Sequence, residues 1–119
     1  HSYYIYGNNL DIENIKYSRN YIIKKLKSKG IPGLSGGYTC LHLLPMFQQK
    51  IAYGDKGFPW NSNFCKRNIS YSKGSCPNAE HLHNKSFIKF EVCLYDFTVA
   101  DINFITNAFK KVWSELKIT

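Results

Sequence analysis

The hydrophobic positions of the chain switch between two periods, and each period predicts an element. Residues 3–9 open with Tyr3, Tyr4, Ile5 and Tyr6 and run into Gly7-Asn8-Asn9, which predicts a strand closed by a turn. Over residues 12–29 the spacing changes. Ile12, Ile15, Ile22, Ile23 and Leu26 recur mostly three, four or seven positions apart, which predicts a helix. Asp11 suits its N-cap, and Lys24, Lys25, Lys27 and Lys29 suit the negative end of its dipole. Gly30 ends the pattern and Pro32 prevents its restart. Period two returns over residues 87–95. Ile88, Phe90 and Val92 share one face and Lys89 and Glu91 the other, which predicts a second strand. Thr98-Val99-Ala100-Asp101 then resembles a capping box with Asp in place of Glu. Val99, Ile102, Ile105, Phe109, Val112, Trp113 and Leu116 follow as the core-facing stripe of a last helix.

Less regular segments lie between these elements. Residues 30–37, GIPGLSGG, have glycines at 30, 33, 36 and 37. They match neither G-x-G-x-x-G nor a P-loop ending, so a flexible connection is favoured over a phosphate cradle. Residues 38–47, YTCLHLLPMF, are apolar around one buried-looking His, and Pro45 discourages a long helix. Residues 48–75 are irregular, and such a length inside a compact domain is commonly functional or a contact surface. Tyr53, Phe58, Trp60, Phe64 and Tyr71 in this segment require cover, from the domain itself or from a neighbour, and Phe58-Pro59-Trp60 reads as an anchor. Pro77 opens a short helix in CPNAEHLHNKS. The predicted order is β-α-loop-loop-α-β-α. This is an α+β domain in which two long helices cover one face of a small, mainly antiparallel sheet.

Composition sharpens this picture. The 119 residues, 44% apolar and 16% aromatic, suit a single domain with a core and exclude intrinsic disorder. Sixteen Lys and Arg against eight Asp and Glu give +8, an excess that favours anionic partners. No apolar run approaches the roughly 18–20 residues that span a bilayer, and HSYYIYGNN lacks the marks of a signal peptide. No membrane partner is expected. The chain begins in mid-strand without Met, so we expect a fragment of a longer protein. Cys40, Cys65, Cys76 and Cys93 allow three disulfide pairings but contain no C-x-x-C, and we read them as reduced thiols of a cytoplasmic protein. Cys76, His81 and His83, or Cys40 and His42, offer zinc-ligand types without zinc-finger spacing, so no metal site is expected.

Four pieces, in order, resemble the C-terminal part of the DegT/DnrJ/EryC1/StrS family of pyridoxal-phosphate sugar aminotransferases. They are Tyr3-Tyr4-Ile5-Tyr6; Arg19, Leu26 and Gly30-Ile31; Tyr38-Thr39-Cys40-Leu41-His42 with Pro45 and Phe47; and Cys76-Pro77-Asn78-Ala79-Glu80-His81-Leu82 with the strand and the helix opening Thr98-Val99-Ala100-Asp101-Ile102. Cys40 stands where the family often has Pro, and Phe47 where it often has Tyr. Segment 48–75 is longer than usual for the family.

The resemblance implies the small C-terminal domain of a fold type I aminotransferase. The cofactor-binding large domain would precede His1. The parent would be a homodimer that moves an amino group, from glutamate or a similar donor, onto a keto-sugar nucleotide in polysaccharide biosynthesis. Pyridoxal phosphate, its lysine and the Asp facing its ring nitrogen would belong to the large domain, so this chain alone is expected to bind no cofactor, to carry no catalytic residue and to be inactive. The resemblance puts His42 near the substrate, where an imidazole donates to a diphosphate, and Tyr38 offers a hydroxyl to sugar or phosphate. A core role for both is the competing interpretation. Two further classes are weighed. Some family members perform sugar dehydration instead. A basic nucleic-acid-binding module is compatible with the charge and nine tyrosines, but no recognition signature supports it.

Overall fold

The computed structural model describes residues 4–118, so Tyr3 of the first predicted strand lies outside the described residues. The chain divides into two compact units. One comprises residues up to Tyr38 together with those from Leu82 onward; the other is Thr39–His81.

The first unit is an α+β layer. Its strands are β1 (Tyr6–Asn9), β2 (Leu34–Gly36) and β3 (Phe87–Phe90), all antiparallel, in the order β1-β3-β2. Tyr6 faces Phe90 across one ladder and Leu34 faces Phe90 across the other. Ile88 and Phe90 point to the buried face, as their alternation predicts. The strand ends at Phe90 rather than Tyr95, because neither partner strand extends past the Phe90 register. Val92 instead sits in a 3-10 turn, Val92–Leu94, and packs against the core from there.

Two helices cover that face. Helix α1 (Arg19–Ser28) is shorter than the periodicity of residues 12–29 predicts. Ser18, not Asp11, is its N-cap and accepts from the Tyr21 amide. The Asp11 carboxylate is taken by Asn14 Nδ2 at 2.7 Å, a local turn that competes with helix. Ile12 and Ile15 still reach the core, from irregular backbone. At the other end Gly30 takes φ +86°, the left-handed conformation that a helix stop requires.

The last helix of the chain, Val99–Leu116, has the predicted capping box. Thr98 Oγ1 accepts from the Asp101 amide, and the Asp101 carboxylate accepts from the Thr98 amide. Ile105, Ala108, Val112 and Leu116 are buried, with Phe109 and Trp113 packed beside them. Val99 and Ile102 are exposed, contrary to the predicted stripe. Ile102 borders an open groove whose other side is Tyr6, Asn8 and Phe90, so the start of the helix is not closed onto the sheet there. The core of this unit joins Leu10, Ile22, Ile23, Leu26, Ile31 and Leu34 with Ile88, Phe90 and the buried face of the last helix.

The GIPGLSGG stretch, predicted as a loop, supplies β2. Gly37 takes φ +74°, and a Cβ there would collide with the His83 carbonyl, so no side chain fits. No helix among the described residues is long and apolar enough to cross a membrane.

The second unit is mostly loop, as predicted for 48–75. Its elements are a 3-10 turn at Leu41–Leu43, α2 (Pro45–Gln49) and α3 (Pro77–His81). The last helix of the first unit is accordingly α4. The predicted helix over CPNAEHLHNKS is α helix only through His81. Leu82–Ser86, in the first unit, is a single π-helical turn.

Candidate functional site

The second unit is organised by polar contacts. Pro45 is pre-set for the first position of α2 and holds Leu44 extended (ψ 146°), which separates the helix from the turn bearing His42. Gln48, one helical turn into α2, reaches back and donates Nε2 to the His42 carbonyl at 2.6 Å. It also donates to the Tyr71 carbonyl, tying the irregular segment to the same point. The His42 backbone is therefore fixed independently of its side chain.

Pro77 likewise starts α3, and Glu80 lies one turn in. Its side chain turns back toward the helix start. Glu80 Oε1 accepts from the Gly74 amide at 2.7 Å and lies 2.9 Å from His42 Nε2. Both side chains are buried, His42 at 8% and Glu80 at 11% exposure. The hydrogen bond from His42 first, and those from the Gly74 and Cys76 amides, hold the Glu80 carboxyl below its ordinary value, against the opposing effect of burial. An ionised carboxylate only accepts, so His42 Nε2 carries the proton in this contact. The ring is fixed in one orientation, with Nδ1 left for a second partner. Cys40 Sγ approaches the Ala79 carbonyl at 3.7 Å, a second contact between the same two stretches.

The aromatics of segment 48–75 partly supply their own cover. Trp60 meets Phe47 and Tyr71 edge-on, with centroids 6.2 Å from each, and its Nε1 donates to the Tyr71 hydroxyl at 2.9 Å. Tyr53 and Phe58 pair at 6.1 Å but remain exposed, and Phe64 is 93% exposed.

Tyr38 has a different environment, in the first unit. It is half exposed, its hydroxyl accepts from Tyr4 at 3.0 Å, and Lys89 Nζ lies 5.5 Å from its ring centroid. The bond to Tyr38, with smaller contributions from burial and the neighbouring phenol, raises the Tyr4 hydroxyl above its ordinary value. The two sequence-predicted residues thus have separate partners, His42 on Glu80 and Tyr38 on Tyr4, and belong to different units.

Sequence reasoning assigned no role to Glu80 or Gln48. Glu80 had a readable signal, an acid one turn after a helix-starting Pro, placed to bond backward to the amides before it. Gln48 had none. All four cysteines are free, Cys40 buried and Cys76 and Cys93 exposed. Among the described residues no group of three or more His, Cys, Asp or Glu side chains is arranged to hold a metal ion. No lysine is buried: the side chains of α1 and those in segment 48–75 are open to water to varying degrees.

No protein-family model matches the chain, and no solved structure matches it. The uncharacterized protein MJ1066 of Methanocaldococcus jannaschii is similar, with 28% identity over 116 residues. The similarity covers 97% of this chain and 24% of that protein, so the chain spans about a quarter of the length of this relative.

Proposed function

We propose that this chain is the small C-terminal domain of a nucleotide-sugar aminotransferase of the DegT/DnrJ/EryC1/StrS type, and that His42, oriented by Glu80, contacts the substrate diphosphate. The single observation supporting this is the buried contact of 2.9 Å between His42 and Glu80. It joins two of the four stretches on which the resemblance rests, 38 residues apart in sequence. A His–Glu pair fixes the imidazole, and Nδ1 donates to a diphosphate when the ring is the doubly protonated imidazolium, with Nε2–H still directed at Glu80. The Tyr38 hydroxyl, which accepts from Tyr4, keeps its own proton to donate.

Pyridoxal phosphate would supply the electron sink for amino transfer, and the proposal assigns it to the part of the protein outside this chain. The residues here act by binding and orienting.

The test uses the complete protein that contains this chain, offered glutamate and a panel of keto-sugar nucleotides. Transfer of the amino group is expected. Replacing His42 by Ala should weaken nucleotide-sugar binding about tenfold to a hundredfold, the worth of a charge-assisted hydrogen bond, with the thermal midpoint recorded alongside. Cofactor uptake followed by loss of a sugar hydroxyl, with no amine gained, would replace transfer by dehydration. No cofactor uptake, combined with single-stranded nucleic-acid binding that weakens steeply with salt, would replace the proposal by the nucleic-acid reading.

A further inference from the structure

A cavity of about 370 Å³ opens in the sheet-and-helix unit at the start of α1. Residues 12 and 15–20 form one side, and Asn84 and Lys85 of the π-helical turn form the other. Its lining is unusual in charge. Lys16, Arg19 and Lys85 are present and no Asp or Glu is. None of these three cations is in an ion pair among the described residues, where the Lys and Arg pairs are Lys29–Glu115 and Lys89–Glu91. Of the two acids on the preceding loop, Asp11 is engaged by Asn14, and neither it nor Glu13 lines the cavity.

The remaining lining is suited to an anion. Asn20 and Asn84 add amide donors, and Ser18 and Tyr17 add hydroxyls. The geometry of this wall is built rather than accidental. Arg19 Nη1 donates to the His83 carbonyl at 2.6 Å and to the Leu82 carbonyl at 3.4 Å, so the guanidinium locks α1 to the turn that bears Asn84 and Lys85. Arg19 Nε is buried without a partner against Gly36 of β2, which keeps the guanidinium in place. Three like charges gathered without a counter-ion repel one another, and an anion between them would relieve that cost.

We propose that this cavity is a binding site for a phosphoryl group, held by Lys16 and Lys85 across the lock formed by Arg19. The site is separate from the function proposed above, since it uses none of the residues to which that proposal gives a role. Two flexible lysines facing one pocket suit a di-anion on a small molecule, which they can approach from both sides.

The test is a titration of the chain with inorganic pyrophosphate, followed by amide chemical shifts at low ionic strength. Saturable shifts confined to residues 15–20 and 83–86 are expected. The double variant Lys16→Ala with Lys85→Ala should weaken binding about tenfold or more and flatten the salt dependence. Both lysines are exposed, so the variant keeps the fold. Arg19 is left intact because its carbonyl contacts are structural. As a control, Lys110→Ala with Lys111→Ala removes the same charge from α4 and should leave affinity unchanged. The proposal is overturned if the shifts do not saturate, if both double variants weaken binding equally, or if the chain binds anionic vesicles or single-stranded DNA through other residues while pyrophosphate leaves residues 15–20 unmoved.

Discussion

The two units of the chain bury opposite kinds of chemistry. In the sheet-and-helix unit the buried side chains are aliphatic and aromatic, from Leu10 and Ile22 to Val112 and Leu116, with Ser86 the polar exception. In the Thr39–His81 unit the buried residues, among those described, are Cys40, His42 and Glu80. Hydrophobic burial is non-directional and tolerates sliding, whereas a hydrogen-bonded pair fixes atoms in place. The first unit has the burial of a scaffold. The second is held by contacts that also orient a chemically competent ring. That contrast has consequences for mutation and for pH, and each provides a way to break it.

The largest effect is expected in the aliphatic core. Leu26 is fully buried on α1, within the cluster that includes Leu34, Ile88 and Val112. Leu26→Ala should cost about 2–5 kcal/mol, the transfer free energy of the lost atoms plus a cavity. Denaturant unfolding followed by Trp113 fluorescence measures it, with Trp60 replaced by Phe so that one reporter remains. A loss below about 1 kcal/mol would mean that the core can collapse around the gap, and that the scaffold role is misassigned.

A smaller and more local effect is expected in the polar unit. Glu80→Gln keeps the shape and removes the charge that His42 Nε2 and two backbone amides address. Amide exchange over residues 41–49 and 74–81 should quicken about tenfold or more, with the exchange of α1 and α4 unchanged. Acid should mimic the substitution. The Glu80 carboxyl titrates lower in the folded chain than its ordinary 4.5, so its contribution is complete above that pH. It is lost as pH falls through the lower folded value. The Trp60 signal, read in a Trp113→Phe background, should change over that window in the parent and lose this component in Glu80→Gln. If wild type and variant titrate alike, the pair does not hold the unit together.

Local patterns were legible in the sequence, and pairings distant in sequence were not. The face shared by Ile88 and Phe90, and the Thr98–Asp101 box, are properties of neighbouring residues, and both stand as predicted. The predicted helix over 12–18 failed for an equally local reason. Ile12 and Ile15 have helical spacing, but Asp11 and Asn14 bond to each other and Ser18 supplies a better cap. Spacing marks Ile12 and Ile15 as core-facing, but not which backbone carries them there. β2 had no signal of its own, because Leu34–Gly36 becomes a strand only by pairing with β3, more than fifty residues away. The site divides in the same way. His42 was visible as a lone His in an apolar stretch, while its partner Glu80 is 38 residues distant and is identified only by the fold. The hydroxyl of Tyr38 is visible in the sequence, and its bond to Tyr4 has no counterpart in local pattern.

The smallest effect tests whether the scaffold is independent of the polar unit at its most exposed end. Thr98 caps α4 through Oγ1 and the Asp101 amide, at a helix start whose Val99 and Ile102 face water. Replacing Thr98 by Ala should cost about 0.5–2 kcal/mol, because the Asp101 amide loses its acceptor and water replaces it imperfectly. The Asp101 carboxylate would also lose the hydroxyl, the principal cause of its lowered titration, and keep the Thr98 amide. Its carboxyl should therefore move upward, toward the ordinary 3.8. The same substitution thus weakens unfolding resistance at neutral pH and shrinks the part of the acid transition reported by Trp113. Trp60 should register neither change. A matching shift at Trp60 would mean that the two units unfold as one, and that the division between apolar scaffold and polar site describes their composition but not their stability.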